Sequence, residues 1–237
     1  MRRILLRLGT LALIAICLTG CGRRESYRYK LSLAVSTPAG VKRASNVVEV
    51  QVFSVSIPAK GVMHELNGEA LYLDLGEGRK PLIALLTKRS GRNKSGEVRW
   101  SRDGGPNNPL LAEFCGDASA KELLDLVHCV SRTRGSFRVS LDDIPDLVTF
   151  ANIDQPDSVA LVDPHNLAAT LGSDVAWSAV TLEITDEPVT RSINSKLPWL
   201  RDRFEKKRQL DGAYGYFKNE LANILSWSDF ESPRDSK

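Results

Sequence analysis

The sequence predicts an α+β domain, mainly antiparallel sheet from the N-terminal half with inserted and C-terminal helices; a β-sandwich with a helical C-terminal extension is the alternative. Three observations carry this. Period-2 alternation of apolar and polar residues dominates residues 27–87, helical spacing first appears between 117 and 130, and it returns from 193 to 227. Strands that precede helices, rather than alternate with them, argue against a parallel βαβ sheet. No internal repeat exists, which excludes solenoids and propellers.

Tyr27, Tyr29, Leu31, Leu33 and Val35 alternate with Arg28, Lys30, Ser32 and Ala34, the pattern of a half-buried strand. Thr37-Pro38-Ala39-Gly40 supplies a turn, and the β-branched run from Val47 to Ile57 returns as its antiparallel partner. After the break at Pro58–Gly61, Leu71, Leu73 and Leu75 share one face; Gly76-Glu77-Gly78 turns the chain, and Pro81–Thr87 reads as a more fully buried strand. Residues 117–130 carry Leu123, Leu124, Leu126, Val127 and Val130 on one helical side, with Asp117 or Ser119 as N-cap. Ser136–Leu141 and Leu147–Phe150 are short strands. Asp163–Gly172 is a short helix with Pro164 in its first turn. Trp177–Thr185 is a strand with Val180, Leu182 and Ile184 inward and Thr181, Glu183 and Thr185 outward, and a helix-rich tail runs from Ile193 to Trp227.

The amino terminus carries an address. Met1-Arg2-Arg3 precedes an apolar run from Leu8 to Leu18, shorter than the roughly 20 residues that span a bilayer, so it reads as a signal h-region. Leu18-Thr19-Gly20-Cys21 resembles the lipobox of bacterial lipoproteins. The resemblance implies cleavage between Gly20 and Cys21, a diacylglyceryl thioether on Cys21 and palmitate-class acyl chains that tether the mature protein. Gly22, in place of the aspartate that retains enteric lipoproteins at the inner membrane, implies an outer-membrane address facing the periplasm. The organisation expected is a signal peptide over 1–20, a lipidated leash over 21–26, one periplasm-facing domain over 27–230 and a frayed tail over 231–237.

Charge and cysteine content bound the function classes. From Cys21 onward 29 basic residues face 29 acidic ones, so no global field exists to hold nucleic acid. Once Cys17 leaves with the signal and Cys21 is acylated, Cys115 and Cys129 remain in a compartment that permits a disulfide. A continuous helix between them would hold them about 20 Å apart, so helix and bridge exclude each other, and the helix with two buried free thiols is the expectation.

Motifs for chemistry are sparse. His64, His128 and His165 lack any i,i+4 partner, and no nucleophile elbow, phosphate loop or dinucleotide fingerprint occurs. No cofactor or metal is expected. A serine triad on His165 with Asp163 or Asp174 defines a rival reading, a periplasmic hydrolase. The acids Asp142, Asp143, Asp146, Asp154, Asp157, Asp186 and Glu187 flank turns and read as caps.

Residues 88–109 read as a flexible basic loop with four glycines and two prolines. Lys88, Arg89, Arg92, Lys94, Arg99 and Arg102, with Trp100 among them, form a candidate contact for anionic head groups or peptidoglycan. Thr37–Val41, Ser45–Val50, Val180–Asp186 and Pro198–Leu200 are similar to stretches of a group of uncharacterised proteobacterial proteins, a resemblance that implies no catalytic residue. The reading is a non-enzymatic, lipid-anchored envelope protein that binds a protein partner or stabilises an assembly. A binding module of this kind is expected to present an exposed apolar patch or an open sheet edge.

Overall fold

A computed structural model of the chain describes residues 23–55, 61–76, 78–88, 90–92, 98–100, 115 and 123–232. Its fold is α+β with antiparallel sheets, as the sequence predicts. β1 (Arg24–Thr37) and β2 (Gly40–Val55) form one long hairpin whose register runs unbroken from Arg24↔Phe53 to Thr37↔Gly40. Gly40 makes the turn possible because its φ of +101° lies where a side chain is strained. β3 (Gly61–Asn67) pairs the C-terminal half of β2, and β11 (Ala176–Ile184) pairs β1 on the other side. With β8 (Ser136–Arg138) at the far edge, the order is β3-β2-β1-β11-β8.

A second sheet has the order β10-β9-β5-β4, from β4 (Leu71–Leu73), β5 (Leu82–Ala84), β9 (Leu147–Phe150) and β10 (Val159–Val162). It is a middle layer. Along β5 and its extension, Leu82, Ala84 and Leu86 enter the cluster shared with the first sheet, whereas Ile83 and Leu85 enter a second cluster on the opposite face. Val148 and Phe150 of β9 also enter the second cluster, while Leu147 enters the first. A strand with both pleat faces buried reads as a near-continuous apolar run; β5 does so, and β9 does so except at buried Thr149, whose Oγ1 donates to the Pro81 carbonyl at 2.7 Å.

The C-terminal segment covers the outer face of that layer. Ile193, Leu197, Leu200, Leu210, Leu225 and Phe230 fill the second cluster. Phe150, Trp199 and Phe230 pack with ring centroids 5.6–6.2 Å apart. The tail expected to be helix-rich holds only short helices, among them α3 (Trp199–Glu205) and α4 (Leu221–Ile224), joined by turns. It is fastened by polar contacts instead. The buried Glu69 carboxylate accepts from the Ser192 and Ile193 amides at 2.6 and 2.8 Å, and Thr87 Oγ1 donates to buried Asp229 at 2.6 Å. Glu231 and Ser232, expected to fray, are held: Ser232 N donates to Gly68 O at 3.0 Å.

Several expectations need correction. Cys115 and Cys129 form a disulfide with Cα atoms 6.1 Å apart, not two free thiols. Helix α1 (Leu123–Arg132) buries Leu124, Val127 and Val130 against the first sheet. A Cα separation of 6.1 Å is incompatible with one continuous helix joining the two cysteines, which would hold them about 20 Å apart. The proposed caps Asp117 and Ser119 lie outside the described residues. Within the segment read as a basic loop, β6 (Ser90–Arg92) and β7 (Val98–Trp100) pair as a small hairpin. β1 begins at Arg24, inside the segment read as a leash. The helix expected from Asp163 is only α2 (Ala168–Leu171), although Gly172 ends it as anticipated, at φ +117°.

Candidate functional site

Of the residues singled out by the sequence, Gly20, Cys21, Arg89, Lys94 and Arg102 lie outside the described residues. Lys88 is engaged: its Nζ donates to the Asp142 carbonyl. Arg92, Arg99 and Trp100 occupy the small hairpin, in the register Gly91↔Arg99, Arg92↔Val98 and Ser90↔Trp100. Arg79, upstream of this loop, pairs with Asp174 at 3.0 and 2.5 Å. The hydrogen bond from Arg79 holds the Asp174 carboxyl below the usual carboxylate range and raises the guanidinium in turn.

The hydrolase constellation is not gathered. His165 Nε2 contacts Asp142 Oδ1 at 2.9 Å, its backbone amide donates to Asp163 at 2.9 Å, and Asp174 is committed to Arg79. His128 Nδ1 lies 3.4 Å from Glu25, and its neighbour Cys129 is in the disulfide. Among the described residues no group of three His, Cys, Asp or Glu side chains is placed to hold a metal ion. Nor, among them, is any helix long and apolar enough to cross a membrane.

An open sheet edge is present, and it lies on β2. Residues 49–55 of β2 are paired by β3, and at Val47 the next stretch of chain takes over: Thr190 N donates to Val47 O at 3.1 Å, and Val47 N donates to Thr190 Oγ1 at 2.9 Å. Backbone groups of alternate residues point to the same side of a strand. Because Val47 points away from β1 and the β1–β2 register is unbroken, Ser45, Arg43 and Val41 also point their N–H and C=O groups outward. All three residues are exposed, and among the described residues no strand pairs them on that side.

The outer face beside this edge is low. Ser45, Ser32 and Thr181 lie in register across three strands, as do Arg43, Ala34 and Ala179. These small side chains floor a shallow hollow of about 400 Å³, bordered by the Arg43 side chain. Lys42 and Arg43 are cations without an ion-pair partner among the described residues, and no acid occurs from Thr37 through Val48. The opposite end of the same sheet is electrostatically satisfied: Arg23 pairs Asp125 at 2.7 Å, and Glu49 accepts from Asn67 and Gln51 at 3.1 Å and from Arg28 at 3.3 Å. Burial raises the Glu49 carboxyl, but these hydrogen bonds outweigh it and its acidity ends up increased.

Sequence reasoning foresaw an open edge as the mark of a binding module but did not locate it, because the return strand was read from Val47. The signal lay in the turn. A four-residue reversal at Thr37–Gly40 obliges the strand to start at Gly40, before its β-branched stretch begins. Compared with known protein families, curated proteins and solved structures, the chain matches none.

Proposed function

We propose that the chain is a lipid-anchored envelope protein, acylated on Cys21 at the outer membrane and facing the periplasm, whose α+β domain is a non-enzymatic binding module. The Cys115–Cys129 disulfide carries this reading: such bonds persist in oxidising compartments, the destination that the signal-like amino terminus and Leu18-Thr19-Gly20-Cys21 specify. The position of β1 agrees with it. Three residue steps from Cys21 to Arg24 span at most about 11 Å, so an acylated Cys21 holds the first strand beside the bilayer. The basic hairpin, with Arg92 and Arg99, adds an electrostatic contact to anionic head groups.

The test is metabolic labelling with a palmitate analogue combined with envelope fractionation and cross-linking of the native protein, with Cys21→Ala alongside. The expected result is label and outer-membrane recovery for the native chain, both lost in Cys21→Ala together with any cross-linked partner. An unlabelled product that keeps Met1 and stays in the cytosol overturns the reading.

A further inference from the structure

The geometry points to the free edge of β2, at Val41, Arg43 and Ser45, as a site where an extended acidic peptide segment of a partner protein adds as a strand. This rests on the reading of the domain as a lipid-anchored binding module. Three outward-facing residues offer three N–H donors and three C=O acceptors to an incoming backbone, the recognition mode in which main-chain hydrogen bonds give affinity and alternate side chains give specificity. The specificity element is Arg43. Arg43 is exposed and lines the hollow beside the small residues Ala34 and Ala179, so an incoming carboxylate has room to meet it. Lys42, one residue away, adds a second positive charge, and the stretch from Thr37 to Val48 holds no acid to compete.

A second copy of the chain fits this edge poorly. The antiparallel self-pairing that uses all three residues sets Val41 against the other copy's Ser45 and Arg43 against its own counterpart, placing like charges directly opposite. A lipid surface fits it poorly too. β1 spans 14 residues, so its turn end lies about 43 Å along the strand from the end next to Cys21. The open edge therefore sits toward the end of the hairpin away from the anchor, where a periplasmic chain can reach it.

The test uses the full-length protein in detergent and a fluorescent eight-residue peptide alternating valine with aspartate. Two further peptides are compared: the same sequence N-methylated at alternate amides, and one alternating valine with lysine. Anisotropy should show saturable binding of the acidic peptide only. Binding should fall at least tenfold on N-methylation and in Ser45→Pro, which removes one outward N–H without touching the ladder to β1. In Arg43→Glu it should fall at least tenfold, with the lysine peptide now preferred. Thermal melts of both variants establish that they fold. Absence of binding, or binding that Ser45→Pro and N-methylation leave unchanged, overturns the inference. So does an edge that drives self-association in sedimentation runs. Failure here leaves the labelling result untouched, and failure of labelling leaves peptide binding untouched.

Discussion

Removal of the Cys115–Cys129 bridge tests both the packing of α1 and the main support for the proposed compartment. The bond closes a loop 14 residues apart in sequence. On the chain-entropy account, a loop of that size restricts the unfolded ensemble by about 10 cal/mol/K, or about 3 kcal/mol at 25 °C. The perturbation is the double substitution Cys115→Ser with Cys129→Ser, which avoids an odd thiol. Urea unfolding followed by tryptophan fluorescence should give a stability lower by about 3 kcal/mol, with a slightly steeper denaturant slope because the unfolded chain is freed to expand. Reductant should bring the native protein to the same midpoint and leave the double variant where it was. The helix should survive, because Leu124, Val127 and Val130 remain buried against the sheet. A reductant that lowers the native unfolding free energy by less than about 0.5 kcal/mol refutes the bridge, and with it the main support for the proposed oxidising location.

Two further outcomes follow from hydrogen-bonded carboxylates, the buried Glu69 and the partly buried Glu49. Glu69→Ala leaves the Ser192 and Ile193 amides without their acceptor, at about 1–3 kcal/mol each, so the loss should total about 2–6 kcal/mol. Urea titration measures it, and a loss under about 1 kcal/mol shows that Glu69 does not fasten the C-terminal segment. Glu49 should contribute to acid sensitivity with a definite sign. Its folded pKa lies below the unfolded value of about 4.3, so its stabilisation is complete above that pH and fades as pH falls through the lower folded value. Glu49→Gln should therefore flatten the stability profile between neutral pH and about pH 3. Parallel profiles for the two proteins contradict that assignment.

How much was legible in the sequence depends on the range of the interaction involved. The first strand was readable because Tyr27 to Val35 alternate strictly, and the inward set Val180, Leu182 and Ile184 because a half-buried strand needs no more than its own pattern. Residues 61–67 lack such alternation, so β3 was missed and exists because the odd residues of β2 need hydrogen-bond partners. Val159–Val162 was likewise missed and is a strand by virtue of its pairing with β9. Lys88 and Arg79 looked free in a run of cations, yet Asp142 and Asp174, distant in sequence, take them up.

The sequence by itself determined what is written in consecutive residues: the balance of charge, the alternation that makes sheet, and the apolar run that marks a strand buried on both sides. Only the tertiary structure decided which cations remain unpaired, whether two cysteines meet, and which strand keeps an open edge. The reason is physical. Side-chain periodicity is set by neighbours along the chain, whereas ion pairs, a disulfide and an unfilled ladder position depend on which distant segments arrive beside them and which never do.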